Sequence, residues 1–380
     1  MGPKSPGAWI RGNGIHAVFF GLPAAAVVVW PLLFGFDHTI TNLVLYISIY
    51  MVFALGLNVV VGYTGLLDLG YVSFMAVGAV FAALCLVMTK DPETGRLVFP
   101  VGTTDLVQGD HPLIFPGSYF LIMLGAGLVC AIIGVLRGIP TLRLSGDYYA
   151  IVTLGIAEII FLVLFNEEWL TGGAFGIKLT RHARPELFGE LLYWDTPQFY
   201  FLVFLVLALT VVLMYRMQYS RLGRGWAAIR LDETAARACG VNIARYKLTA
   251  FAVSGFFGGV GGALYALWQG TVAIRTLEVW QSILVLCCIV LGGMGSVRGV
   301  MLGTAILVTI NEVSRYKIGG IRLPNEARFL VYGMLIILLM RFRPQGLIPL
   351  KPRKVEVDEE DLAAVRKESS PLFGLTSEDT

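Results

Sequence analysis

Charge is what this sequence has least of. Of its 380 residues only 14% are Asp, Glu, Lys or Arg, against 56% hydrophobic. A soluble domain carries about 25% charged residues. So little charge cannot cover a water-facing surface of this size, so lipid must solvate much of it. Histidine is scarce too: His16, His38, His111 and His182 are scattered, which argues against a histidine-built metal centre. The five cysteines (Cys85, Cys130, Cys239, Cys287, Cys288) include no CxxC pair, so neither a zinc site nor a disulfide framework is indicated. There is no G-x-x-x-x-G-K-[ST] phosphate loop and no nucleophile–base constellation. The chain is therefore not read as an enzyme, and no metal or cofactor is expected. No nucleic-acid surface is expected either.

What is abundant is apolar length. Runs at about 17–36, 40–61, 66–88, 118–136, 148–165, 198–215, 248–271, 279–295, 297–313 and 324–342 carry few charges. A span needs ~20 residues to cross ~30 Å of hydrocarbon, and its backbone must be satisfied internally. The fold is therefore predicted to be all-α, a polytopic membrane protein of roughly ten spans. The run at 17–36 is too long for a cleavable signal core, although Lys4 and Arg11 precede it. The 44 glycines, in lipid, point to close helix packing and to broken, Gly-rich helices.

Placement of Lys and Arg sets the orientation. Segment 216–247 holds Arg216, Arg221, Arg224, Arg230, Arg237, Arg245 and Lys247 against only Asp232 and Glu233. The exit from the last run is also basic, with Arg341, Arg343, Lys351, Arg353 and Lys354. An even span count puts 216–247 and both termini in the cytoplasm. Arg315, Lys317 and Arg322 then face outward, outvoted by the larger clusters. The chain divides into a cytoplasmic N-terminus (1–16), a membrane domain (17–350) with the cytoplasmic loop 216–247, and a polar cytoplasmic tail (351–380).

Three sets of residues stand out. Within 216–247, Asp232 and Glu233, followed by Ala235 and Ala236, read as a helix start, and Gly240 as its stop. Glu233 and Arg237, four apart, can pair on one face. This is either a small helix offered to another protein or a solvated linker. Next, Gly62-Tyr-Thr-Gly65-Leu-Leu-Asp68-Leu-Gly70-Tyr71 interrupts an apolar run with three glycines and a carboxylate. It is either an unwound segment offering polar groups to a solute or a tight turn at the inner face. Leu291-Gly-Gly-Met-Gly-Ser296 reads similarly. Finally, Glu158 falls near mid-span, where a charge costs about 2.5–3.5 kcal/mol on insertion scales. It lines a polar pathway, meets another subunit or makes a structural hydrogen bond. Thr171-Gly172-Gly173 follows the same helix on the outside. Gly65, Asp68, Gly70, Tyr71, Glu158, Thr171, Gly172 and Gly173 are the candidate pathway residues.

These motifs carry a resemblance. Val61-Gly-Tyr-Thr-Gly-Leu-Leu-Asp-Leu-Gly-Tyr71, Leu142 to Gly155, Thr171-Gly-Gly, Leu222-Gly-Arg through Lys247-Leu-Thr-Ala-Phe251, Val290 to Ser296 and Arg343-Pro-Gln-Gly-Leu347 follow one another in family order. Together they resemble the LivM branch of the branched-chain amino acid permease family. The resemblance implies that 17–350 is a permease domain of an ABC importer in the bacterial inner membrane. It would pair with a homologous second permease subunit above two cytoplasmic ATPase subunits. A periplasmic solute-binding protein would deliver solute, and ATP would bind to the ATPase partners. Asp232, Glu233, Ala235, Ala236, Arg237 and Gly240 would form the coupling helix.

Two departures leave the solute open. Ala174-Phe175 stands where family members usually have Pro-Asn, and 89–117 is a long insertion-like loop. Urea or a short amide is the alternative cargo. Hydropathy alone also fits a self-contained secondary carrier or channel.

Overall fold

The computed structural model describes residues 39–87, 89–90, 97–98, 119–142, 144, 146–173, 175–179, 186–187, 190–191, 197–313 and a few positions between 333 and 348. The expected span at 17–36, both termini (1–16 and 351–380) and position 174 lie outside the described residues. The span at 324–342 and the loop 89–117 lie almost wholly outside them.

Among the described residues the fold is mostly helical. In chain order the helices are α1 (Thr39–Asn58), α2 (Val72–Val87), α3 (Tyr119–Thr141), α4 (Asp147–Asn166), the single turn α5 (Glu168–Thr171), α6 (Pro197–Tyr219), α7 (Arg221–Leu231), α8 (Glu233–Ala238), α9 (Ile243–Gln269), α10 (Val279–Gly292) and α11 (Val297–Val313). Six stretches are long and apolar enough to cross a membrane: Thr39–Thr64, Tyr119–Thr141, Tyr148–Asn166, Pro197–Tyr219, Ile243–Gln269 and Ile274–Gly292. Against the expectation of roughly ten spans, the described residues contain six.

Two departures from the predicted boundaries have a physical cause. The sequence predicts a helix from 66, but α2 starts at Val72. A π-helical turn (Val59–Thr64) ends α1, Gly65 turns left-handed at φ 76°, and 66–70 are non-helical. The 16 residues of α2 rise only ~24 Å, less than the hydrocarbon thickness. Helices α10 and α11, of 14 and 17 residues, are also short, and Gly293–Ser296 separates them.

Burial sorts the helices into layers. In Thr39–Thr64 and in α9, 83% of the apolar window is buried, which makes them central; in α3 and α4 the share is 28%, which makes them peripheral. Helix α9 can sit at the centre because glycines thin it. Its backbone lies so near α2 that a Cβ on Gly78 would overlap the Gly259 carbonyl. Lipid supplies no hydrophobic force between helices, so such close backbone contact is how they hold together.

The two peripheral helices show different chemistry. The open face of α3 is apolar, with Phe120, Leu121, Leu124, Leu128, Ile132, Leu136 and Ile139. The open face of α4 carries Tyr148, Ile151, Ile159 and Leu162, but also the exposed carboxylate of Glu158. At one end of the bundle α7 and α8 link α6 to α9. Near the other end of α9, Ile177–Lys178 pairs antiparallel with Thr271–Val272.

Candidate functional site

The α7–α8 segment is built from successive caps. Ser220 Oγ accepts from the Gly223 amide to start α7. Asp232 Oδ1 accepts from the amides of Thr234 (2.7 Å) and Ala235 (3.0 Å) to start α8. Asn242 Oδ1 accepts from Arg245 to start α9. Each cap satisfies backbone donors that the first turn of a helix leaves open. Helix α8 ends at Ala238 with Cys239 as its cap, and Gly240 follows at φ 81°. The predicted helix start and stop are therefore present.

Its faces differ from expectation in two respects. Ala236 is buried against Ile229 and Ile243, while Thr234, Ala235, Arg237 and Ala238 are exposed. Glu233 pairs with Lys247 at 2.5 Å, not with Arg237, because α9 folds back beside α8 and offers a buried ammonium. The regular helix α7 was not foreseen in the sequence.

Above α7 two broken segments meet. The Arg230 guanidinium donates to the Gly62 carbonyl. Asn58 Oδ1 accepts from the Gly295 amide at 2.9 Å. The two backbones approach so closely that a Cβ on Gly62 would lie 2.5 Å from the Gly295 nitrogen. The second break is strapped from behind: the Leu347 and Ile348 amides donate to the carbonyls of Leu291 and Gly292, each at 2.9 Å. Tyr63 stacks on Trp226 of α7, with ring centroids 6.2 Å apart. Partial desolvation lowers the pKa of Arg230 from the ordinary guanidinium value.

Beyond the first break lies a sealed ionic cluster. Asp68 is fully buried and ion-paired with Arg137 of α3, itself 3% exposed. Gly70 donates its amide to Asp68 Oδ1 at 2.9 Å, and its carbonyl accepts from Arg137 Nη1 at 3.1 Å. The guanidinium also sits 4.3 Å over the Phe74 ring. Tyr71 donates its hydroxyl to the Ser254 carbonyl of α9. Gly65, just before the cluster, is exposed. Arg137 escaped the sequence reading. The available signal was a lone guanidinium inside an apolar run, since a buried acid demands a counter-charge.

The other candidate residues are not brought to this cluster. Thr153, which caps the Leu69 amide, and Leu164, whose carbonyl accepts from Thr171 Oγ1, are both on α4. Eleven residues of helix separate them, ~16 Å. Gly172 and Gly173 turn left-handed after Thr171 (φ 71° and 56°). Glu158 lies between these groups, exposed.

Next to the paired strands, at the end of α9, is a cavity of about 280 Å³. Its wall includes Tyr46, Trp268, Trp280 and Gln281, with Arg275 and Glu278 at exposed positions. Tyr50 Oη donates to Gln281 Oε1 at 2.8 Å and fixes that amide. Among the described residues no group of His, Cys, Asp and Glu is placed to hold a metal ion.

Residues 39–340 match the family described as branched-chain amino acid transport system / permease component. The chain belongs to that family. The high-affinity branched-chain amino acid transport system permease protein LivM of Salmonella typhimurium is 36% identical over 372 residues, covering 92% of this chain and 79% of the relative. The probable branched-chain amino acid transport permease protein LivM of Methanocaldococcus jannaschii is 26% identical over 329 residues, 82% and 94% of the two chains. The related permease protein LivH of Escherichia coli is 23% identical over 307 residues, 79% and 91%. No solved structure matches. This permease is thus an integral membrane transport protein, and its motifs now have places. The Gly62–Tyr71 and Leu291–Ser296 motifs form the two breaks, and the 220–251 motif forms the capped segment beneath them.

Proposed function

We propose that this permease is one of two membrane subunits of an ABC importer for branched-chain amino acids, driven by ATP hydrolysis on partner subunits. The observation that carries the reading is α8. A helix capped by Asp232 stands exposed at one end of the bundle, yet it is pinned to the core through Glu233–Lys247 and Ala236. A freely solvated linker has no use for such anchoring. On this reading Asp232, Glu233, Ala235, Arg237 and Gly240 form the surface that ATPase partners push, and Ala236 seats it from inside. Segment 216–247 and both termini are cytoplasmic.

The pathway residues then divide by role. Glu158 faces the seam with the second permease subunit, because an open carboxylate at mid-span is poorly suited to lipid. Asp68, Gly70 and Tyr71 act from behind the pathway by holding α2, α3, α4 and α9 together, with Gly65 at the entry to the break. Thr171, Gly172 and Gly173 shape the outer mouth, near the aromatic cavity. That cavity supports an amino acid over urea or a short amide, since cation and anion beside aromatic walls suit a zwitterion with an apolar side chain.

Reconstitution tests this. Proteoliposomes holding this permease, its second permease and the ATPase subunits should accumulate labelled leucine only with ATP and loaded binding protein. Uptake by this chain alone without ATP would establish the secondary-carrier reading instead.

A further inference from the structure

Arg230 is on the last turn of α7, two residues before the cap of α8, and it reaches both helix breaks. Its guanidinium donates to the Gly62 carbonyl of the first. Its Cγ lies where a Cβ on Gly65 would be 3.1 Å away. Its Nη1 lies where a Cβ on Gly295 of the second break would be 3.0 Å away. Glycine at 65 and 295 leaves the room that the arginine fills, and glycine at 62 leaves room for Asn58. Asn58 joins the breaks to each other through the Gly295 amide. One side chain outside the spans therefore holds the first discontinuity and packs against the second, which is remote in sequence.

The first break also bears the marks of an element with two arrangements. It is a π-helical turn, a rare form concentrated at functional sites. Asn58 Nδ2 and the Tyr63 hydroxyl are buried there without a hydrogen-bond partner among the described residues. Buried polar groups are normally satisfied, and leaving one open is costly. Flipping the Asn58 amide does not resolve it, because Asn58 Oδ1 is already committed to the Gly295 amide.

We propose that Arg230 is the positioning residue that carries movement of α7 and α8 into both helix breaks at once. This deepens the importer reading and rests on it. When α8 is pushed, Arg230 shifts its hold on the Gly62 carbonyl. The π-helical turn rearranges, Asn58 and Tyr63 gain partners, and the second break follows through Gly295. The bistable unit is the pair of breaks, and the force enters by one hydrogen bond.

Two variants test it in the reconstituted complex. Arg230→Met is expected to keep assembly and basal ATP hydrolysis but to move about tenfold less solute per ATP, the scale of one charge-assisted hydrogen bond. Arg230→Lys retains one donor within reach of Gly62 and should recover part of the loss; if the Met variant fails to assemble, the Lys variant decides. In the same complex, Arg230→Met should raise amide hydrogen exchange in both 59–65 and 293–296. Wild-type coupling in the Met variant, or a change confined to one break, overturns the proposal. ATP-independent uptake by the wild-type complex would sink the importer reading instead, and the exchange result would still judge the linkage.

Discussion

Lys247 and Glu233 lie 2.5 Å apart across the turn from α8 to α9, the lysine 3% exposed and the glutamate 39%. Glu233→Gln strips the buried ammonium of its partner. A loss of about 2 kcal/mol is expected, below that for a fully buried pair because the carboxylate is part-exposed. Thermal unfolding in detergent measures it. Lys247→Met removes the buried charge along with its requirement and should cost less.

Asp68 and Arg137 are both buried, so either one alone becomes an unpaired charge in the core. Asp68→Asn or Arg137→Met should each destabilise by about 3–5 kcal/mol. The double variant should lose less than the two single losses added together. Yield of folded protein after mild heating reads this directly, and raised salt should change it little.

Glu158 and Ile132 both lie on open helix faces, with opposite expectations. Glu158→Leu should insert at least as well as wild type, since a mid-span charge costs about 2.5–3.5 kcal/mol. Its uptake should nevertheless fall. Ile132→Glu places that cost on a lipid-facing stripe and should reduce insertion. A glycosylation-mapping assay paired with uptake separates the two. Full uptake by Glu158→Leu would remove Glu158 from the seam.

Arg275 and Glu278 offer opposite charges beside aromatic walls. Arg275→Gln should weaken competition by the carboxylate-only analogue of leucine, and Glu278→Gln competition by the amine-only analogue. Identical profiles for both variants would argue that the cavity does not handle the solute.

Cys239 is exposed at the end of α8. With the four other cysteines replaced by serine or alanine, an impermeant maleimide should modify it in inside-out vesicles and leave it unmodified in intact cells. Labelling from outside would invert the topology.

The spans were legible wherever an apolar run was long and unbroken, as in 118–136 and 198–215, because hydropathy is a sum over neighbours. The start of α2 was not, because 66–71 continue the apolar run around Asp68 and Gly70, and only the left-handed turn at Gly65 shows that they are not helical. Among the candidate residues, Asp232 and Gly240 were found from capping chemistry that acts within four residues. The Glu233–Arg237 pairing failed because a tertiary partner, Lys247, competes more strongly for the carboxylate.

Lipid as solvent and the capped helix at 233–238 follow from composition and near-neighbour chemistry, which the chain carries in itself. Which polar groups meet was decided only in three dimensions. Arg137 finds Asp68 across 69 residues, Arg230 finds Gly62 across 168 and Asn58 finds Gly295 across 237. Helices such as α1 and α2 are apolar on nearly every side. A helix without a polar face does not announce its rotation, so its partners are set by packing and not by pattern.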